Sequence, residues 1–423
     1  MRLFFMVGLL LTIQAFTYQL SYDRLTGLRS VSPVIQVISL SVLFCSLILL
    51  HTSRDSWKLV ARCWPILFLA GLGLLSATWS INSSTTVRAT YNFLSVSLVC
   101  LAMAARFSPF ECLRLVLRMM TLGCVLSILW VQIFPEVGIH QATDLSQTVH
   151  DGLWRGIFTH KQGLGVFSSL TLGLLMFYGS VAFPILIVRV AAIVCAGVCL
   201  FGTGSVTGVL TAGILTTLLY VTWWISHVPR PHRAFFMRTL IFSLGLIALV
   251  FNLGWLDFVP GLLGKTADLN GRSDMWPYVL ALTRSSSMLF GRGLGTNFSN
   301  PIFEGGLSID NGYVDVTMEL GYVGAAVVLA IYGGMLWAGC RLIERTPPDR
   351  AGINLFPFCY MVVLFVMNVS EGLFMKREIA NVLFILAISF IFREAPKTAQ
   401  TVQGIRSGKF MPRGRRRTVY ADR

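Results

Sequence analysis

The chain has 423 residues, of which 55% are apolar and only 13% are charged, and its mean hydropathy is +0.71. A soluble domain carries about a quarter charged residues, so this composition excludes a globular protein covered by water. Apolar runs of roughly 18 to 22 residues recur along the chain, which is the length that an α-helix needs to cross a hydrocarbon core about 30 Å thick. The sequence therefore predicts an all-α fold, a polytopic membrane helix bundle.

The net charge of +15 raises the question of a nucleic-acid partner. The basic residues lie between the apolar runs and in the C-terminal tail, where anionic lipid headgroups are the nearer partner. Membrane lipids are therefore predicted as partners, and nucleic acid is not. The nine cysteines form no Cys-x-x-Cys pair, which favours small core residues over a disulfide or zinc framework.

We predict about twelve membrane spans, with boundaries uncertain by roughly two to four residues. In chain order they are 3–20, 31–50, 64–80, 89–105, 114–134, 161–179, 183–201, 205–225, 239–256, 313–340, 354–370 and 379–393. The first run follows a lone Arg2 and precedes no good Ala-x-Ala site, so we expect a retained helix and not a cleaved signal peptide.

Short loops rich in Lys and Arg stay on the cytoplasmic side of a membrane, and this bias predicts the orientation. With a cytoplasmic N-terminus, the inner loops contain these residues: Arg54, Lys58, Arg62, Arg106, Arg114, Arg118, Arg230, Arg233, Arg238, Arg341, Arg345 and Arg350. The tail agrees, since Arg393 to Arg423 holds nine basic residues. We predict a membrane domain over 1–393, a basic cytoplasmic tail over 394–423, and both termini on the cytoplasmic side of the membrane.

Two outer loops are too long to be simple turns, at 135–160 and at 257–312 between the ninth and tenth spans. Long loops in a compact fold usually carry function. The second loop includes the sequence MWPYVLALTRS, which predicts an amphipathic helix at the membrane surface. The outer side is therefore where we expect the chemistry of this protein.

Three polar clusters lie in or beside these loops, at 155–165, 270–276 and 308–324. Cations that face outward run against the positive-inside bias, and the arginine fork binds phosphate oxygens at two points. A lipid-linked diphosphate is thus a natural ligand for these clusters. The alternative is that each arginine reaches outer headgroups or pairs with a nearby aspartate. The cations are Arg155, Lys161, Arg272 and Arg292, and the aspartates are Asp144, Asp151, Asp268 and Asp274.

No Gly-x-Ser-x-Gly or His-Glu-x-x-His motif is present. The outer histidines recur every ten residues, a spacing that matches no single helical face, so no metal site is predicted. They are His140, His150 and His160. The two Gly-x-Gly steps around Arg292 have no preceding strand, so they indicate turn geometry. Asp310, beside Asn311, is placed to act as a general base, with a helix N-cap as the alternative.

Each cluster carries a short motif. The first has Arg155, Gly156 and Phe158 before His160, Lys161 and Gln162; the second has Asn270, Gly271, Arg272 and Trp276, followed by Gly293, Gly295 and Phe298; the third has Asp310, Asn311, Gly312, Tyr313, Glu319, Gly321 and Gly324. These motifs, and the topology of most of the chain, resemble the superfamily of O-antigen ligases and exopolysaccharide polymerases, including ExoQ-type polymerases. Ligases of this family typically have a histidine where this chain has Asp310, which favours a polymerase.

The resemblance implies a GT-C-like helical fold and inverting glycosyl transfer without a metal or cofactor. The implied donor is an undecaprenyl-diphosphate-linked oligosaccharide, the acceptor is a sugar hydroxyl of a second glycan, and a chain-length regulator is a further implied partner. The predicted catalytic residues are Arg155, Arg272 and Asp310, and the predicted substrate-binding residues are His160, Lys161, Trp276, Arg292 and Asn311. An O-antigen-type ligase and a transporter of lipid-linked oligosaccharide or solute stay open as alternatives.

Overall fold

A computed structural model describes residues 1–13, 15–16, 33–52, 54–142, 150–252, 289–296, 309–347 and 351–393. Within these ranges the chain forms fourteen α-helices and one isolated β-bridge. The helices are α1 Arg2–Thr12, α2 Pro33–His51, α3 Arg54–Arg62, α4 Trp64–Leu75, α5 Ser83–Arg106, α6 Pro109–Ile133, α7 Pro135–Gly138, α8 Lys161–Ala182, α9 Leu186–Gly202, α10 Val206–His227, α11 Arg230–Asn252, α12 Gly312–Arg345, α13 Ala351–Met367 and α14 Ile379–Phe392.

The all-α membrane architecture is confirmed, and a helix overlaps each of the twelve predicted segments. Five of the described helices, α5, α6, α8, α10 and α12, are long and apolar enough to cross a membrane. The pair α2 and α3 passes the same test as one span bent by 108°. Others, such as α1 and α14, are apolar but shorter than 18 residues. The number of twelve spans and the GT-C-like classification stay predictions.

Several helices begin earlier than their apolar runs because local capping fixes the first turn. Ser108 forms a capping box with Glu111 before α6, and the Asn82 side chain accepts the Thr85 N–H before α5. Helix α11 begins at Arg230, where hydropathy predicted an inner loop and a span from 239. Its first turn contains Pro231, which is tolerated there because the first N–H groups of a helix need no partner within it.

Helix α8 lies at the centre of the bundle and packs against α6, α9 and α10. Helix α13 packs against α10, α12 and α14, and α14 in turn packs against α5. The side chains between these helices form one contiguous apolar core. Large apolar side chains of α9, such as Ile187 and Phe201, are exposed on the outer surface of the bundle, as expected of a helix that faces lipid.

At one end of the bundle, arginine side chains donate hydrogen bonds to the last carbonyls of neighbouring helices. Arg114 and Arg118 bond to the end of α8. Arg233, which is 1% exposed, bonds to carbonyls at the ends of α10 and α12. Arg393 bonds in the same way to the end of α5. Cations near helix C-termini satisfy orphan carbonyls and complement the helix dipole. We call this the basic end.

The opposite end gathers the polar connections of the chain, and we call it the loop end. Here the turn after α4 contacts residues 289–296, and the Trp79 indole donates a 2.8 Å hydrogen bond to the Phe290 carbonyl. Arg377, just before α14, donates to the Leu11 carbonyl at the end of α1. The Trp154 N–H donates to the Gly202 carbonyl at the end of α9. The described parts of both long loops therefore lie at the same end.

Candidate functional site

The first and third polar clusters meet at the loop end. The Gln162 side-chain amide, in the first turn of α8, donates a 2.8 Å hydrogen bond to a carboxylate oxygen of Asp310, just before α12. This bond joins residues 148 positions apart in the chain. It also brings the N-termini of two helices together, and helix N-termini favour anionic groups. The site is therefore a junction between the starts of α8 and α12.

The N-cap of α12 is Asn311 and not Asp310. The Asn311 side-chain oxygen accepts the backbone N–H groups of Tyr313 and Val314, and Asn311 is only 6% exposed. Asp310 lies one residue earlier, in the left-handed region at φ 43°, and is partly exposed. Asn311, and not Asp310, therefore caps α12, and the Asp310 carboxylate faces Gln162 instead.

Histidines form the surroundings of the α8 N-terminus. The His160 ring caps α8 by accepting the Gln162 N–H, and the His140 ring accepts the Lys161 N–H. The rings of His140, His150 and His160 lie with centroids 5.0 to 5.7 Å apart, edge to face. The ten-residue spacing did not predict this cluster, because a loop, and not one helix, brings the three rings together. Among the described residues no group of three such side chains has metal-binding geometry.

Arg155 lies in the loop before α8 and is fully buried. Its guanidinium donates to the Val137 carbonyl over 2.7 Å and more distantly to the Glu136 carbonyl. It therefore caps the short helix α7 in the way that arginines cap helices at the basic end. The next residue, Gly156, has φ 57°, and a Cβ there would lie 2.5 Å from the Ser127 side chain. Only glycine fits this conformation and approach.

The glycine-rich segment 289–296 lies against a break in α12. The helix is interrupted at Gly321, with φ 68° and ψ −178°, a conformation that is essentially restricted to glycine. The carbonyls of Met318 and Glu319, which the break separates from their helical partners, accept the N–H groups of Arg292 and Gly293. Turn geometry for the Gly-x-Gly steps is thereby confirmed. The segment holds Arg292, which is partly exposed, beside the first two turns of α12.

A buried ion cluster lies on the same two turns. The Lys376 ammonium lies 2.8 Å from the Asp315 carboxylate and 3.0 Å from that of Glu319. Burial alone would lower the pKa of Lys376, but the two carboxylates raise it above its ordinary value. Sequence reasoning missed Lys376. The signal was present as Lys376–Glu378, a charged run on the predicted outer side, where Lys and Arg run against the positive-inside bias.

The structure thus brings together Asp310, Asn311, His160 and Lys161, while the Arg155 side chain bonds to α7 in the loop before α8. Arg292 joins the start of α12 through its backbone. The second cluster, with Arg272 and Trp276, lies outside the described residues, as do the predicted surface helix at 275–285 and the tail 394–423. The roles assigned to all these side chains stay predictions.

Part of the chain matches a known protein family. Residues 191–329 match a family model described as O-antigen ligase. The matched segment runs from α9 into α12 and includes the second and third polar clusters, while the first cluster precedes it. No curated protein matches the chain. In this integral membrane protein, the segment that holds two of the three polar motifs is therefore similar to the O-antigen ligase family.

Proposed function

We propose that the protein is a polysaccharide polymerase, which transfers a glycan from undecaprenyl diphosphate to a sugar hydroxyl of a second glycan. The observation that carries the proposal is the Asp310 carboxylate, which is partly exposed, is not used as the helix cap and is oriented by Gln162 between two helix N-termini. A carboxylate so placed can accept a proton from an incoming hydroxyl. The O-antigen ligase domain supports a lipid-linked glycan as the substrate.

The reaction needs one bond to form and one to break at the same anomeric carbon. The acceptor oxygen attacks this carbon while its proton passes to Asp310, and the carrier diphosphate leaves with the electron pair of the broken bond. Attack opposite the leaving group inverts the anomeric centre. Charge grows on the leaving oxygen, and arginine forks stabilise such charge without a metal or a strong general acid. The free energy that drives the transfer comes from the linkage between the glycan and the carrier diphosphate, which is made inside the cell.

We propose Arg272 as the principal ligand of the diphosphate, with Arg292, Lys161, His160 and Trp276 lining the substrate. The N-terminus of α8 supports this assignment, because the positive end of a helix dipole favours an anion nearby. Direct contact of Arg155 with the diphosphate stays a prediction. Its hydrogen bonds to the carbonyls of α7 support a role in holding the loop that precedes α8.

The loop end faces the outside of the bacterial cytoplasmic membrane in this proposal, with both termini in the cytoplasm. The support is the asymmetry of the two ends, since Arg114, Arg118, Arg233 and Arg393 all lie at the basic end. Cytoplasmic surfaces of membrane proteins carry such an excess of arginine and lysine. A carrier lipid would then lie along the bundle, with its diphosphate at the loop end.

An O-antigen ligase is the second candidate, since the family match does not separate ligases from polymerases. The two activities differ in the acceptor, which is a lipid-linked glycan for a polymerase and a lipopolysaccharide core for a ligase. Supplying purified protein in liposomes with lipid-linked oligosaccharide alone separates them. Longer glycans show a polymerase, and extension that requires added core acceptor shows a ligase. Translocation without any extension would show a transporter and refute both proposals.

The same assay tests Arg272 with two replacements. We expect Arg272→Ala to lose chain extension, and Arg272→Lys to lose most of it, because a point charge does not replace the bidentate fork. Full activity in both variants would remove the proposed role of this arginine. Arg238→Ala is a matched control, since the prediction places Arg238 on the cytoplasmic side, away from the donor.

A further inference from the structure

The ion cluster of Lys376, Asp315 and Glu319 is largely shielded from solvent, which is unusual for charged side chains. Side-chain exposures are 19% for Lys376, 8% for Asp315 and 2% for Glu319. The two acids lie four residues apart, so they project from one face of α12 on successive turns. Lys376 comes from the connection 368–378 between α13 and α14. One cation thus binds both acids from a different part of the chain.

The connection 368–378 holds the start of α12 in several further ways. The Gly312 N–H donates to the Asn368 carbonyl over 2.8 Å, and the Tyr313 hydroxyl donates to the Phe365 carbonyl. Gly372 approaches so closely that a Cβ on it would lie 2.8 Å from the Asp315 carboxylate. The first two turns of α12 are therefore fixed by contacts from the end of α13 and from this connection.

These two turns carry the proposed site at both ends. Asp310 lies immediately before them. Beyond them, the carbonyls of Met318 and Glu319 receive the N–H groups of the segment that contains Arg292. A shift of this short helical piece would move Asp310 and Arg292 together. The break at Gly321 separates the piece from the rest of α12, so the remaining helix does not fix its position by itself.

Removal of the cation would leave two carboxylates buried on adjacent turns. Like charges at this spacing repel, and the loss of the cation between two buried carboxylates is strongly unfavourable. The two ion pairs that hold these turns are lost as well. The start of α12 would then move toward water, and a displacement of about 1 Å of a catalytic group is enough to cost about a hundredfold in rate. We infer that Lys376 is a positioning residue, whose bonds to Asp315 and Glu319 place Asp310 for the transfer reaction. The reaction itself rests on the function proposed above.

The first test measures position without any substrate, so its result does not depend on that function. Asp310→Cys provides a thiol at the site, and its rate of modification by a water-soluble maleimide reports exposure. We expect Lys376→Met to raise this rate at least about tenfold. Arg233→Met is the matched control, because it removes a buried cation that binds the opposite end of α12. This control should leave the rate within about twofold, and equal rates in both variants would overturn the inference.

A second variant covers the case in which Lys376→Met does not fold. Combining it with Asp315→Asn and Glu319→Gln removes the two carboxylate charges together with the cation, so this variant lacks the ion pairs without any repulsion. We expect labelling to stay faster than in wild type, because the ion pairs no longer hold the two turns, and labelling at the wild-type rate would also overturn the inference. In the chain with Asp310 intact, Lys376→Met should lower kcat per folded molecule at least tenfold, with the donor KM within about threefold. A purely structural role would lower the amount of folded protein and leave kcat unchanged. If maleimide labelling stays slow in these variants while their activity is lost, Lys376 does not act by positioning Asp310.

Discussion

Asp310→Asn is the variant that most directly separates a chemical role of Asp310 from a structural one. Asparagine has the same size, and like aspartate it tolerates the left-handed backbone at φ 43°. Its side-chain oxygen can still accept the Gln162 amide hydrogen. What the substitution removes is the negative charge and the ability to take a proton from a hydroxyl.

The expected change in stability is small. A hydrogen bond to a charged group contributes about 1.5 to 3 kcal/mol and a neutral one about 0.5 to 1.5 kcal/mol, so the loss is about 1 kcal/mol. The expected change in rate is large, because general-base catalysis contributes about 10² to 10⁴, which is about 3 to 5 kcal/mol of activation free energy. The ratio of these two effects is what identifies a catalytic carboxylate.

The assay is chain extension in liposomes per molecule of folded protein, with thermal unfolding measured on the same preparations. Asp310→Gly is the control for the backbone, since glycine adopts a positive φ without strain. We expect it to lose about 1.5 to 3 kcal/mol with the Gln162 hydrogen bond, to keep the backbone conformation, and to be as inactive as Asp310→Asn. Asp310→Asn within about fivefold of wild type would refute the proton-accepting role. Activity kept in Asp310→Ala but lost in Asp310→Leu would show a steric role instead.

Three further variants test features around the site. Gly321→Ala should destabilise the protein by at least about 3 kcal/mol, because a Cβ there would lie 2.2 Å from the Leu289 carbonyl oxygen. Gly333→Ala, in open space on the same helix, should instead raise Tm slightly. Burial raises the pKa of Glu378 to about 7 against the opposing effect of Lys376. Its protonated form therefore stabilises the fold, and this contribution is lost as pH rises through 7. Tm should fall between about pH 5 and pH 8 in wild type, and Glu378→Gln should flatten that slope; an unchanged slope would contradict the assignment.

The positions of the helices were predictable because hydrophobic length decides them. A helix overlaps each predicted segment, since an apolar run in a bilayer satisfies its backbone groups best within itself. The boundaries were less predictable, because capping decides them. Helix α11 begins nine residues before its predicted span, at a Pro-containing first turn that hydropathy cannot detect.

The candidate site was predictable in its members but not in its contacts. Cations against the membrane bias drew attention to 155–165, and polar residues at a membrane boundary drew attention to 308–324. The bond between Gln162 and Asp310 joins these two segments. The contribution of Lys376 could not be inferred from spacing, because it lies 57 residues from Glu319 in the sequence. Pairing at such separations depends on how helices pack, and one sequence does not contain that information.

The role of Arg155 is where the sequence prediction and the structure differ most. The sequence predicts a catalytic arginine, whereas the structure shows a buried one that bonds to backbone carbonyls. Its bonds to the carbonyls of α7 resemble those of Arg233 at the basic end, where no substrate is proposed. If Arg155 supports the loop, Arg155→Met should lower Tm and reduce extension less than Arg272→Met, and the two effects should multiply in the double variant, as for independent sites. If both arginines hold one diphosphate, either substitution alone should lose nearly all activity with little change in Tm, and the double variant should lose little more. The burial of Arg155 leads us to expect the first result.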